Sequence, residues 1–164
     1  MPRSRFLAAI LALTLPLLAL DLGAKALAET ALAGREPIEL AGGFVVLVFA
    51  RNRGAFLSLG GSFPPWARFL FLYGLPSAAL LGFGLWLLLR APASRRLAIL
   101  SAFFLAGGLG NMPERILTGS VRDYINFGIG RLRTGILNIA DLYLTIAVIL
   151  AAIGWAGRER EGDK

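Results

Sequence analysis

The chain contains no cysteine and no histidine. Without cysteine there is no disulfide, no thiol nucleophile and no thiolate metal site, and the redox compartment is left open. Without histidine, Ser-His-Asp and Cys-His catalysis and histidine-ligated zinc are excluded. Acidic residues are few: Asp21, Asp123, Asp141 and Asp163, with Glu29, Glu36, Glu39, Glu114, Glu159 and Glu161. Hydrolytic chemistry therefore falls to carboxylates or to a Ser-Lys pair. Lys25 with Ser58 or Ser120 is formally available for the latter, but no spacing singles out a partner.

Hydrocarbon fills the chain instead. Of its 164 residues 57% are hydrophobic and 16% charged, with mean hydropathy +0.70. The apolar residues come in blocks, which implies a single polytopic membrane domain and not a soluble one. The net charge of +7 does not point to nucleic acid. The basic residues flank the apolar blocks, with no single patch interleaved with aromatics, so they report topology.

A helix needs about 20 apolar residues to cross a bilayer, and four segments read as spans: roughly 6–28, 66–89, 97–112 and 136–155. The first begins like a signal peptide, with a basic start and small residues around Ala24-Lys25-Ala26, yet apolar character resumes through Ala33. An uncleaved helix is expected. Pro76 should kink the second helix. Segments 29–65 and 113–135 are too mixed to span and are assigned outside. Within the first of these, Phe44–Ala50 is short and β-branched, between Gly42-Gly43 and Arg51-Asn52-Arg53-Gly54. It reads as a strand in a small sheet on the outer membrane surface. The expected fold is an all-α membrane protein with four transmembrane helices and a small extracytoplasmic β region between helices 1 and 2. Basic residues at the N-terminus (Arg3, Arg5), the 90–96 turn (Arg90, Arg95, Arg96) and the tail (Arg158, Arg160, Lys164) put both termini in the cytoplasm. The segment Arg115–Arg133 is basic too, and weakens that contrast.

Few polar residues fall at membrane depth. Asp21 and Lys25 are four apart, so they share a helix face and can pair. They fit an interfacial snorkelling pair, or a functional pair, since charge within a bilayer is costly. Gly107, Gly108 and Gly110 fit close helix packing or a place for substrate. Asp123 follows the third helix and Asp141 begins the fourth, so antiparallel helices can bring them together. Two adjacent carboxyls share a proton; the ionised one can activate water while the other protonates a peptide carbonyl. That chemistry calls for no metal and no cofactor. A plainer account also fits: Asn138 caps a helix, Asp141 lies in its first turn, and Asp123 is a loop charge.

In order along the chain, Asp21-Leu-Gly-Ala-Lys25, Asn52-Arg-Gly54-Ala55, Gly107-Gly-Leu-Gly-Asn111 with Arg115, Val121-Arg-Asp123-Tyr-Ile125 and Asn138-Ile-Ala-Asp141 resemble the motif blocks of lipoprotein signal peptidase (signal peptidase II). The resemblance covers nearly the whole chain, including the four-helix layout. It implies an intramembrane aspartyl endopeptidase with Asp123 and Asp141 as the catalytic dyad. Asn52, Gly54, Gly108, Asn111, Arg115, Asn138 and Ala140 would line the site, with Asp21 and Lys25 supporting it. It further implies cleavage of the signal peptide of a diacylglyceryl-modified prolipoprotein just before the lipidated Cys. The implied location is the outer face of the bacterial inner membrane, with membrane lipids as further partners. A non-catalytic lipoprotein-binding paralogue is the alternative. A proton-coupled transporter fits less well, because no internal repeat or broken helix pair is visible.

Several positions depart from the family pattern. Phe56 and Leu57 follow Ala55 where Ala-Phe is usual. Asn111-Met-Pro113-Glu114-Arg115 replaces Asn-Leu-Ile-Asp-Arg. Asn126 stands where a further Asp is common, and Leu137 and Leu142 replace a usual Phe and Ser. Pro113 lacks an N–H and should disturb the helix end, while Glu114 keeps the charge with a longer reach.

Overall fold

The computed structural model describes residues 1–54 and 63–162, with side chains described through Ile153. Ala55, Phe56, Leu57, Ser58 and Lys164 lie outside the described residues, as do the side chains of Arg158 and Arg160. Among the described residues, four helices, α1 (Arg3–Leu32), α2 (Pro65–Leu89), α3 (Arg95–Thr118) and α4 (Ile139–Gly162), make up most of the structure. A four-stranded antiparallel sheet, in the order β1-β2-β3-β4, is built from β1 (Ile38–Leu40), β2 (Val45–Asn52), β3 (Val121–Ile129) and β4 (Leu132–Arg133).

By length and composition α1, α2 and α3 can cross a bilayer, and α4 carries a shorter apolar stretch, Ile139–Ile153. The surface of α1 is inverted relative to a soluble helix. Leu11, Leu15, Leu22 and Leu27 face outward, while Thr14, Asp21 and Lys25 are buried together with Phe6, Ile10, Ala28 and Leu32. Lipid tolerates the leucines; the charges must be satisfied by protein. At one end of the bundle the Arg3 guanidinium donates to Leu87 O (2.8 Å) and Ala91 O (3.1 Å), so the N-terminus and the α2–α3 turn lie together. The sheet sits at the other end, where Tyr124 packs on Ala28 and Leu32 with Leu47 and Phe49 around them.

Three features differ from the sequence reading. First, the sheet is not confined to the segment between helices 1 and 2, because β2 pairs along its length with β3, which follows α3. Val121–Ile129 is rich in β-branched and aromatic residues, but charges interrupt its apolar pattern, and it becomes a strand by pairing with β2. Leu47 pairs with Ile125 and Ala50 with Asp123, so Val48 and Phe49 face Tyr124 alone in a β-bulge beside Asp123.

Second, α3 does not end near Met112. It continues through Pro113 to Thr118, and Gly119, at φ 72°, terminates it by donating its N–H to Arg115 O at 2.9 Å. The proline removes only the donor that would have served Leu109 O. The helix starts at Ser94, whose Oγ accepts the Leu97 N–H.

Third, the irregularity in α2 is a π-helical turn over Phe69–Gly74, after which Pro76 sits in the first turn of a regular stretch, Leu75–Leu89. A proline there takes a position whose N–H the regular stretch does not need.

The glycines of α3 admit its neighbours. A Cβ on Gly107 would lie 2.7 Å from both Ala140 O and Leu144 Cγ of α4, and one on Gly108 would lie 2.7 Å from Leu80 Cδ1 of α2. A Cβ on Gly110 would lie 2.6 Å from Asp21 Oδ2 of α1. Gly107→Ala should therefore push α3 against the α4 backbone, at an overpacking cost of about 1–3 kcal/mol. Thermal loss of helical circular dichroism in detergent should come at a lower temperature for this variant. An unchanged midpoint would show that α3 and α4 are not in close contact at Gly107.

Candidate active site

At the sheet end of the bundle the inward residues of three helices and two strands meet. Lys25 is the centre of charge, with side chains of both Lys25 and Asp21 0% exposed. Lys25 Nζ donates to Asn111 Oδ1 (2.7 Å) and Gly110 O (2.8 Å), forms an ion pair with Asp21 Oδ2 at 2.8 Å and approaches Glu114 Oε2 at 3.8 Å. Asp21 Oδ1 accepts the backbone N–H of Ala140 at 2.9 Å, which ties α1 to the first turn of α4.

Three carboxamides then share one arrangement. In each, a donor holds Oδ1, which aims Nδ2 at a carboxylate. Gly54 N–H holds Asn52 Oδ1 (2.8 Å), and Asn52 Nδ2 donates to Asp123 Oδ2 (2.8 Å). Lys25 holds Asn111 Oδ1, and Asn111 Nδ2 donates to Asp141 Oδ1 (2.8 Å). Asp141 N–H holds Asn138 Oδ1 (3.0 Å), and Asn138 Nδ2 donates to Asp123 Oδ1 (2.6 Å). Asp141 Oδ2 returns to the Asn138 N–H at 3.2 Å, closing a reciprocal cap at the start of α4. Asn138 is thus the residue on which Asp123, from β3, and Asp141, from α4, converge. The plainer reading of Asn138 as a cap is correct as geometry, but the same residue also contacts the second carboxylate.

Asp123 is 2% exposed. Burial pushes its carboxyl up to about 6, against the lowering effect of the Asn52 and Asn138 hydrogen bonds, and the negative charge of Asp141 adds to the rise. Arg115, on α3, is mostly buried and its charge acts on both Asp141 and Asp123. Its Nε has no hydrogen-bond partner among the described residues.

Asp21, Lys25, Asn52, Gly54, Asn111, Asn138 and Ala140 are all joined to this network, and Arg115 borders it. Gly108 is not joined; it faces Leu80 of α2, and the glycine against the network is Gly110. Ser120 bonds with Thr118, while Lys25 is occupied by Asp21, Asn111 and Gly110 O, so no Ser120–Lys25 pair forms. Sequence reasoning missed Glu29 and Arg122. Arg122 Nε donates to Glu114 Oε1 (2.8 Å) and its Nη1 to Glu29 Oε2 (3.1 Å), while Arg51 pairs with Glu29 Oε1. Glu114, the departure noted above, is thereby an ion-paired and largely buried residue. Asn126 also has a role suited to an amide, since its Nδ2 donates to Gly135 O (3.2 Å) and Thr134 O while its Oδ1 accepts from Arg133.

Fold and site together define a helical membrane protein with a buried centre of carboxylates and amides at one end of its bundle. A family profile described as signal peptidase (SPase) II matches residues 13–156. The chain belongs to the signal peptidase II family. It is similar to the lipoprotein signal peptidase of Desulforapulum autotrophicum, at 34% identity over 82% of this chain and 83% of that protein. It is also similar to that of a Sulfurihydrogenibium strain, at 32% identity over 85% and 86%. A third relative, from Cupriavidus taiwanensis, is 31% identical over 73% of this chain, and the match spans 66% of that relative's length. Among solved structures, a bacterial membrane enzyme determined by the in meso method at 2.3 Å resolution superposes with a TM-score of 0.79. The match runs over 96% of this chain and 92% of that one, at 25% identity.

The raised Asp123 value has a consequence for stability. A carboxyl whose value rises from 3.8 to about 6 on folding binds its proton more tightly in the folded state. Its contribution is therefore fully present below pH 4 and is lost as pH rises through 6. The difference is on the order of 3 kcal/mol at most. Asp123→Asn removes the titration, so its unfolding temperature relative to the parent should rise between pH 4 and pH 7. A constant difference across that range would contradict burial of an ionisable Asp123.

Proposed function

We propose that this protein is an aspartyl endopeptidase of the bacterial inner membrane that removes signal peptides from diacylglyceryl-modified prolipoproteins just before the lipidated Cys. The observation that carries this is the convergence of Asp123 and Asp141 on Asn138, with every contacting amide held so that its donor faces a carboxylate. Family membership and the relatives' names support the substrate.

In this reading Asp123 and Asp141 share one proton and titrate as a pair. The ionised carboxyl takes a proton from a water molecule as that water attacks the scissile carbonyl carbon. The protonated carboxyl gives its proton to the carbonyl oxygen, and the tetrahedral intermediate forms. Collapse of that intermediate breaks the C–N bond: the carboxyl that took the water's proton delivers it to the leaving amine, while the other takes a proton back from a hydroxyl of the intermediate, so the pair again holds one proton. Asn52, Asn111 and Asn138 hold the carboxyls in place through this exchange, and Lys25 with Asp21 holds Asn111 and the start of α4. Gly54 and Ala140 serve as backbone donors, and the charge of Arg115 stabilises negative charge on the pair. Gly108 acts at a distance, by seating α2.

The topology of the proposal has four spans, both termini in the cytoplasm and the site near the outer face, where the lipidated Cys is presented by membrane lipids. It is supported by the Lys/Arg distribution and by the grouping of the N-terminus with the α2–α3 turn, opposite the sheet. No observation favours the non-catalytic alternative, because α3 is continuous through Pro113 and Glu114 is paired.

Complementation of a bacterium lacking signal peptidase II, scored by precursor cleavage, tests the activity. Asp123→Asn and Asp141→Asn should each lower cleavage on the order of 10³-fold or more, with protein level unchanged. Full processing by either variant would sink the dyad. The kcat/KM profile should be bell-shaped, since one proton on the pair is needed, and both limbs belong to the pair and not to either carboxyl alone. A flat profile would count against a shared proton.

A further inference from the structure

Arg51 and Arg122 are directly opposed in the β2–β3 pair. Like charges at such positions repel. Here Glu29, from the last turn of α1, stands between them, with Oε1 on Arg51 and Oε2 on Arg122. Arg122 is held a second time by Glu114 of α3, whose other oxygen approaches Lys25. Charges therefore alternate from the sheet to the core as Arg51, Glu29, Arg122, Glu114, Lys25. The outer pair is exposed and screened; the inner members are progressively drier, with side-chain exposure of 20% at Arg122, 9% at Glu114 and 0% at Lys25.

Both ends of the inner part touch the carboxylate network. Arg122 is the chain neighbour of Asp123, and its carbonyl accepts from Asn138 Nδ2 at 3.3 Å. Lys25 holds the Asn111 amide that donates to Asp141. We propose that Glu29, Arg122 and Glu114 form an ionic brace that positions the two carboxylates, with Arg122 and Glu114 as its positioning residues. The proposal rests on the peptidase reading above. It also explains the residue at 114. An aspartate there would withdraw the carboxylate by about 1.5 Å, the length of a C–C bond. On the same backbone it would not bond Arg122 at 2.8 Å while lying 3.8 Å from Lys25, so the longer acid suits where Arg122 stands.

The test is steady-state cleavage of a diacylglyceryl-modified precursor by the full-length protein in detergent, normalised to folded protein. Glu114→Gln, Glu114→Asp and Arg122→Met should each lower kcat by about 10- to 100-fold, the effect of a misplacement near 1 Å, with KM little changed. The Glu114→Gln/Arg122→Met double variant should be no slower than the worse single variant, because one brace is broken once. If Arg122→Met does not fold, Glu29→Gln carries the same test and should lower kcat several-fold. Values of kcat within twofold of the parent, or effects that multiply in the double variant, would overturn the brace. If the parent itself does not cleave, the peptidase reading fails, and the brace is decided by carbon-13 NMR titration of the Asp123 carboxyl. There Asn52, Asn138, Asp141, Lys25 and Arg115 act on the group, and in Glu114→Asp, which keeps the charge, loosening Asn138 should raise the midpoint; an unchanged midpoint would overturn the brace on its own.

Discussion

The ammonium of Lys25 has no access to solvent, and much of the molecule is arranged around that fact. A buried charge costs several kcal/mol even after relaxation unless it is paired and hydrogen-bonded. Lys25 obtains its partners from two helices: Asp21 one turn earlier on α1, and Gly110 O and Asn111 Oδ1 on α3. That demand brings α1 and α3 into contact, and the approach is possible because residue 110 has no Cβ to strike Asp21. Asp21 in turn has a second oxygen to satisfy, and the Ala140 N–H meets it, so α4 must begin there. Three helices are registered by one ion pair, as expected where the surrounding lipid offers no alternative partners.

The same low-dielectric setting explains why the amides matter. A carboxamide can turn either its oxygen or its nitrogen toward a neighbour, and only the nitrogen favours an anionic carboxylate. For Asn111 the orientation is decided by Lys25, for Asn138 by the Asp141 N–H, and for Asn52 by the Gly54 N–H. Each choice is enforced by a group that cannot itself reverse. The buried polar network is therefore satisfied around both carboxylates, which is the condition for such a network to rigidify a structure and not weaken it.

Much of this was legible in the sequence, though unevenly. The apolar blocks marked the helices because lipid-facing residues need not alternate with polar ones. The absence of histidine and cysteine left a short list of carboxylates, and the family resemblance singled out Asp123 and Asp141 from it. Spacing alone left Asp21 and Lys25 open between a snorkelling pair and a functional one; in the fold the pair is fully buried and makes three further hydrogen bonds within the protein. Pro113 was given too much weight. A proline breaks a helix through one donor and one clash, and the stronger stop, Gly119 after Thr118, lay a turn and a half further on. Val121–Ile129 was not legible as a strand because its pairing partner lies far away in the chain and its charges interrupt the alternation. Glu29, Arg51, Glu114 and Arg122 were invisible as a group for the same reason: only the β2–β3 register makes Arg51 and Arg122 neighbours. Gly108 sits within a recognisable motif but faces α2, a matter of helical phase that the motif does not state.

The two carboxylates are not held alike. Asp141 belongs to the first turn of a helix, where reciprocal bonds with Asn138 fix its main chain and its side chain together. Asp123 projects from a strand beyond the helices, beside a bulge, and its own bonds are lateral ones from two amides. A strand so placed can slide or twist in ways that a capped helix cannot, and a bulge increases local twist. The two amides hold its carboxyl, and its main chain is held further by its neighbours in the chain. Tyr124 contributes by packing on Ala28 and Leu32, and Arg122 contributes through carboxylates on α1 and α3. The residues on either side of Asp123 thus point away from it and are anchored to the helix bundle, while Asp123 alone faces the other carboxylate. That alternation is the reason for bearing one carboxylate on a strand: successive side chains go to opposite faces, so a single β segment can be anchored through one face and present its acid on the other.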